Sequence, residues 1–168
     1  MKKLGLGDIN LKAIEATASE LSKQYSKLEI HTTQLYVASE QSIDDAIASS
    51  AQKFGTIDYA VNNAGVAGPL VPSAQHSSAD WRSALNVNSD GVWMSQRAEI
   101  RQMLKQTPGD SYKTGRGVII NMSSMFGLIG TSMDTPAVTY TTSKHVVIGM
   151  DHNTAQMYQL TSRRHDKS

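Results

Sequence analysis

The sequence predicts an α/β chain: a parallel sheet wound with helices on both faces. Three observations carry this expectation. Short apolar runs of strand character alternate along the chain with amphipathic helical stretches. Two of those runs, Ile57–Val61 and Val118–Met122, lead directly into polar residues. Open α/β sheets bind ligands at that end of their strands. Finally, Tyr140 and Lys144 stand four residues apart at the start of a predicted helix, which puts both on one face.

The elements follow in order. Leu4–Asn10 is short and broken by Gly5 and Gly7, and Asp8 or Asn10 can cap the helix that follows. Leu11, Ile14, Ala18 and Leu21 share a face, so residues 11–25 read as an amphipathic helix. Leu28–Val37 reads as a strand. Ser42-Ile43-Asp44-Asp45 resembles a capping box, with Asp45 where Glu is commoner. Ile43, Ala46, Ile47, Ala51 and Phe54 then line one helical face, and Gly55 supplies the stop. Ile57–Val61 is the next strand, delivering Asn62-Asn63-Ala64-Gly65 to the sheet edge.

Residues 66–77 are rich in Gly, Pro and Ser and read as a loop. Ala79-Asp80-Trp81 opens a helical stretch reaching about Gln106. Asn88 and Gly91 lie inside it, and both are poor mid-helix residues. Such local conflicts mark functional sites or a break between two helices. Residues 107–117 form a polar surface loop. Val118–Met122 is a strand with Ser123 and Ser124 at its end, and residues 126–138 make a further loop. The helix after Tyr140 carries Val147, Met150 and Met157, with the methionines expected in packing. His145 and His152 read as surface side chains, and residues 161–168 as a polar tail.

Composition narrows the classes. The 168 residues suffice for one domain with a core, and residues 1–168 read as a single one. The net charge is +1 with signs mixed, which gives no footprint for nucleic acid. There is no cysteine, hence no disulfide framework and no thiolate metal site. Asp8, Asn10 and Lys12 interrupt the N-terminus before any signal-peptide core forms, and no segment approaches membrane-spanning length. The expectation is a soluble, cytoplasmic chain that needs no metal.

The chemistry centres on Tyr140-Thr141-Thr142-Ser143-Lys144. An ammonium beside a phenol stabilises the ionised form, as a general acid/base requires. Asn62-Asn63-Ala64-Gly65, Asn88-Ser89-Asp90-Gly91, Ser124 and the Tyr140/Lys144 pair occur in that order. This ordered set resembles the short-chain dehydrogenase/reductase family, from about Asp8 to about Tyr158. The resemblance implies a Rossmann-like fold and hydride transfer between a nicotinamide cofactor and a secondary alcohol or ketone. It gives Tyr140 the acid/base role, and has Lys144 lower the phenol's pKa and bind the nicotinamide ribose. It has Ser124, which stands three residues before Gly127, hold the substrate oxygen. It has Asn88 kink its helix and support a proton relay through water. Cofactor contacts are implied for Asp8, Val37, Asn63, Ala64, Gly65, Tyr140 and Lys144. An acidic Asp8 beside the ribose hydroxyls favours NAD over NADP. The long helices imply a homodimer or homotetramer.

Departures from the family pattern set further expectations. Tyr36 stands before Val37 where the family carries a carboxylate. No glycine-rich pyrophosphate turn precedes Asp8, and no Pro-Gly segment follows the Tyr140 helix. The chain therefore reads as a family member lacking the first strand with its Gly-rich loop and the last strands. In the strand order 3-2-1-4-5-6 the first strand is central. The strands at residues 57–61 and 118–122 should still pair, while the strand ending at Val37 should have lost its neighbours. The alternative is a non-catalytic remnant that folds or dimerises through its helices without binding cofactor. The sequence leaves the substrate open.

Overall fold

The structure is a computed structural model that describes residues 2–107, 116–132, 134 and 136–164. Most of the predicted polar loop at 107–117, and the end of the predicted tail, lie outside the described residues. The elements alternate as β1 (Lys2–Asp8), α1 (Leu11–Gln24), β2 (Leu28–Gln34), α2 (Glu40–Phe54) and β3 (Tyr59–Asn62). After the loop come α3 (Ser78–Leu85), a π-helical turn (Asn86–Asp90), α4 (Gly91–Lys105), β4 (Val118–Asn121) and α5 (Val138–Arg164). Among the described residues no helix is long and apolar enough to cross a membrane.

The strands form two separate parallel pairs, β1 with β2 and β3 with β4. Pairing of β3 with β4 was expected, and it runs from Tyr59↔Val118 to Asn62↔Asn121. The strand before Val37 departs from expectation. β2 keeps a complete partner, because Lys2–Asp8 is a full strand that pairs from Lys2↔Leu28 to Asp8↔Gln34. Its glycines do not break it. A Cβ on Gly7 would meet Leu35 Cδ2 at 2.9 Å, so glycine there lets the chain pass close to the end of β2. β1 and β3 are not hydrogen-bonded to each other, and that gap is where the parallel sheet is interrupted.

The helices follow their sequence signals with two adjustments. In α1 the Asn10 side chain accepts from Ala13 N, which makes Asn10 the cap. Asp8 supports it by accepting from Asn10 N at 2.8 Å. In α2 the cap is Ser39, which accepts from Ser42 N, so the helix starts before the predicted Ser42. The Ser42 hydroxyl is instead used by Tyr36 N at 3.0 Å. Gly55 ends α2 at φ +88°, a backbone region that favours glycine.

The stretch from Ser78 to Lys105 stays helical throughout, with the π turn absorbing the conflict at Asn88. Gly91 is required by close approach: a Cβ there would lie 2.8 Å from the Val37 carbonyl. α5 remains helical to Arg164, further than the tail predicted from residue 161. The core lies among α2, α3, α4 and α5, around Ile43, Ala84, Val92, Ala98, Met103 and Val147. Of the two methionines expected in core or interface packing, Met150 is half-buried and Met157 is exposed. His145 and His152 are exposed.

Candidate functional site

Lys144 is 4 % exposed in the first turns of α5. Burial lowers its pKa from the usual lysine range. Its Nζ donates to the Met122 carbonyl at 2.7 Å, immediately beyond β4. It also sits 5.5 Å from the centre of the Tyr140 ring, so the predicted pair does share one helix face. Phe126 meets Tyr140 edge-on, with ring centres 6.5 Å apart.

The two serines after β4 are separated by their partners. Ser123 Oγ donates to the Lys144 carbonyl at 2.8 Å and ties β4 to α5. Among the described residues Ser124 Oγ accepts a long contact from Phe126 N at 3.3 Å, and its proton is uncommitted in that bond. Gly127 lies under this turn. A Cβ there would overlap Ser123 Oγ at 2.5 Å and the Lys144 carbonyl at 2.7 Å. The Ser–Gly spacing thus has a steric origin: the turn presses directly onto α5.

Asn88 is fully buried on the π turn. Its Oδ1 accepts from Val66 N and its Nδ2 donates to the Val66 carbonyl, both at 2.8 Å. Nδ2 also donates to Ser143 Oγ at 3.1 Å, next to Lys144. Asn88 therefore pins the loop after Gly65 to α5. A π turn places an extra residue per turn, which turns this side chain inward. Gly65 occupies the junction: a Cβ there would stand 3.2 Å from Asn88 Oδ1 and 3.9 Å from Lys144 Nζ.

The remaining predicted residues gather in a cleft of about 140 Å³ between the two strand pairs. Asp8 and Val37 line it from one side, Asn63 and Ala64 from the other, and Val87, Gly91 and Ser95 lie along its floor. Tyr140, Lys144 and Ser124 are not among its lining residues; Gly65, directly after Ala64, links the two groups. Sequence reasoning missed the Met122 carbonyl and Ser143; for the Asn62-Asn63-Ala64-Gly65 motif the resemblance implied a role in steadying the sheet but named no partner for Asn62. The Asn62 amide donates to Asn121 Oδ1 at 2.8 Å and joins the ends of β3 and β4. Both residues close their strands with an amide, which was the available signal.

Strands alternating with helices, paired parallel as β1 with β2 and β3 with β4, define an α/β fold of the open parallel-sheet class. The short chain dehydrogenase family matches residues 2–162, and the chain belongs to that family. It is 31% identical over 157 residues to 3beta-hydroxysteroid dehydrogenase 2 of Eggerthella lenta, covering 94% of this chain and 56% of that protein. The crystal structure of levodione reductase superposes with a TM-score of 0.84 at 26% identity, over 94% of this chain and 57% of that one. NAD+-bound xylitol dehydrogenase superposes at 0.81 with 28% identity, over 92% and 54%. The chain thus spans about half the length of the relatives it matches.

Proposed function

We propose that this chain carries the acid/base site and part of the cofactor site of an NAD(P)-dependent oxidoreductase that interconverts a secondary alcohol and a ketone. One observation carries the reading. Lys144 is buried beside the Tyr140 ring at the end of β4, with Ser123 bonded to its carbonyl, and is held there by Met122, Ser143 and Asn88 through α5 and the Val66 loop. In this reading Tyr140 exchanges a proton with the substrate oxygen, which the Ser124 hydroxyl holds. Lys144 supports the phenolate and the nicotinamide ribose. Asn88 is a positioning residue that keeps the Gly65 turn against Lys144, and it serves the proton relay from there. The bound cofactor supplies or accepts the hydride.

The residues present fit one end of that cofactor. Asp8 uses Oδ1 for Asn10 N, and a carboxylate retains further acceptor sites for ribose hydroxyls. Val37, Asn63 and Ala64 complete this side of the cleft. A carboxylate repels a 2′-phosphate, so NAD is the proposed cofactor over NADP; the xylitol dehydrogenase relative is itself described as NAD+-bound. Absence of cysteine fits a reducing compartment, and the cytoplasm is the proposed location. A single cofactor-domain unit over residues 1–168, about half the length of the relatives it matches, is the proposed organisation.

A second reading, a non-catalytic chain that dimerises through its helices without binding cofactor, has one observation in its favour. Trp93 and Leu104 on α4 and Val146 on α5 are exposed. Sedimentation of the purified chain tests it, and a monomer at high micromolar concentration would sink it.

The catalytic reading is tested in two stages. Titrated alone with NAD by calorimetry, the chain should bind weakly or not at all and turn over no secondary alcohol. The pyrophosphate is usually held by several charge-assisted hydrogen bonds, each about 1.5–3 kcal/mol. The residues gathered in the cleft address the ribose and adenine instead. Completed with the glycine-loop and C-terminal portions of a relative, the chain should gain NAD-dependent turnover. Tyr140→Phe should abolish that turnover and leave the melting temperature unchanged. Full activity in Tyr140→Phe would remove Tyr140 from the mechanism.

A further inference from the structure

Glu99 is a carboxyl on α4 that the proposed chemistry does not use, and it is 4 % exposed. Neither ion pair among the described residues involves it. Its Oε2 accepts from Asn62 Nδ2 at 2.9 Å, and the same amide donates to Asn121 Oδ1 at 2.8 Å. Asn121 Nδ2 donates to Asp151 Oδ1 at 2.6 Å, and Gln96 Nε2 reaches that oxygen at 3.3 Å. The path leaves α4 at Glu99, crosses β3 and β4, enters α5, and returns to α4 at Gln96. Both amide protons of Asn62 are used, so the far end of the path needs an acceptor, and Glu99 is that acceptor.

The path ends next to the site at two points. Asn62 directly precedes Asn63-Ala64-Gly65, and Asn121 directly precedes Met122, whose carbonyl holds Lys144. We propose that Glu99 is a positioning residue: its carboxyl clamps the Asn62–Asn121 amide pair and thereby fixes both the Asn63–Gly65 turn and the carbonyl that seats Lys144. The inference rests on the reading above that this turn and Lys144 serve the site.

Titration of the clamp gives it a signature. Burial raises Glu99 to about 7, against the opposing hydrogen bond from Asn62. A carboxylate accepts from the amide more strongly than a carboxylic acid. The titratable and charged groups of the surrounding elements are few. α5 presents Asp151 through Asn121 and Lys144 at the Met122 carbonyl, while its His145 and His152 are exposed. β4 carries none. β3 carries Tyr59, exposed on its outer face. α2 presents Glu40, paired with Arg97 of α4, and the exposed Asp44, Asp45 and Lys53. Asp90, Arg101 and Lys105 are exposed.

The test is nuclear magnetic resonance of the full chain between about pH 5 and pH 9, with no cofactor present. In the unsubstituted protein the side-chain amides of Asn62 and Asn121 should shift together with a midpoint near 7. In Glu99→Gln, which keeps an acceptor but cannot titrate, the shift should vanish while the Lys144 Cε signal stays in place. In Glu99→Leu the Lys144 signal should move, and amide exchange at Asn63–Gly65 should speed up about tenfold, the scale of one lost hydrogen bond. An amide titration that persists in Glu99→Gln, or is absent from the unsubstituted protein, would overturn the proposal. So would an unchanged Lys144 signal in a folded Glu99→Leu. If the leucine variant does not fold, the glutamine titration decides alone. None of these readouts needs turnover, so a failure here is separable from a failure of the oxidoreductase reading.

Discussion

The two strand pairs are held together in different ways. Around β1 and β2, no described residue before Ile43 is fully buried. That region rests on a seven-residue backbone ladder and on the half-buried Leu11, Ile14, Ala18 and Leu21 of α1. Around β3 and β4 the ladder is only four residues long. There the order comes from side chains: Val92, Ala98, Met103 and Val147 in the core, with Asn88, Thr139, Ser143, Lys144 and Glu99 buried among them. A two-stranded ladder alone is marginal in water, and this one depends on α1 and α2 packed against it. Buried polar groups that are mutually satisfied select one arrangement, because any shift leaves a group unpaired. The region that carries Tyr140 and Lys144 is therefore the specified one. The region that carries Asp8 and Val37 is the one expected to open first.

Three measurements sharpen or break this contrast. The largest effect should come from pH acting on the side-chain-held region. The folded state keeps Glu99 protonated up to about 7, against 4.5 for an ordinary glutamate. Between those values the folded state binds more protons than the unfolded one, so Glu99 makes stability fall as pH rises through this window. The loss should level off above the folded-state value and reach at most roughly 3 kcal/mol. Glu99→Gln should flatten that part of a denaturation series. An equal slope in both proteins would mean that another group titrates.

Next in size is Asn88→Ala. It removes the bonds to both backbone groups of Val66 and to Ser143, and should cost about 2 kcal/mol in chemical denaturation. Hydrogen exchange should show the loss in the Val66 loop and the first turns of α5, and not in β1 or β2. Protection lost evenly across both strand pairs would mean the two regions unfold as one unit.

The smallest effect compares two apolar truncations. Val147→Ala, in the fully buried core of α5, should cost about 1.5–2 kcal/mol. Leu21→Ala, on half-buried α1, should cost less than about 1 kcal/mol. Equal losses in the two variants would contradict the difference in packing.

Much of this was legible beforehand because it depends on local patterns. The spacing of Leu11, Ile14, Ala18 and Leu21 places α1, and the apolar runs at 57–61 and 118–122 place a pair of strands that do hydrogen-bond. The four-residue spacing of Tyr140 and Lys144 fixes their common face, since helix geometry alone decides it. The poor helix residues at Asn88 and Gly91 announced a distortion. What the sequence left undetermined is what depends on distant partners. That Lys2–Asp8 completes a strand despite two glycines is decided by Leu28–Gln34 beside it, and the cap of α2 by the Tyr36 amide competing for Ser42. Ser123 and Ser124 are neighbours of identical chemistry; only the arrival of the Lys144 carbonyl on Ser123 tells them apart. Glu99 carries no local mark at all. A glutamate on a helix ordinarily faces water, and only the packing of α4 across β3 and β4 removes that water and leaves Asn62 as its partner.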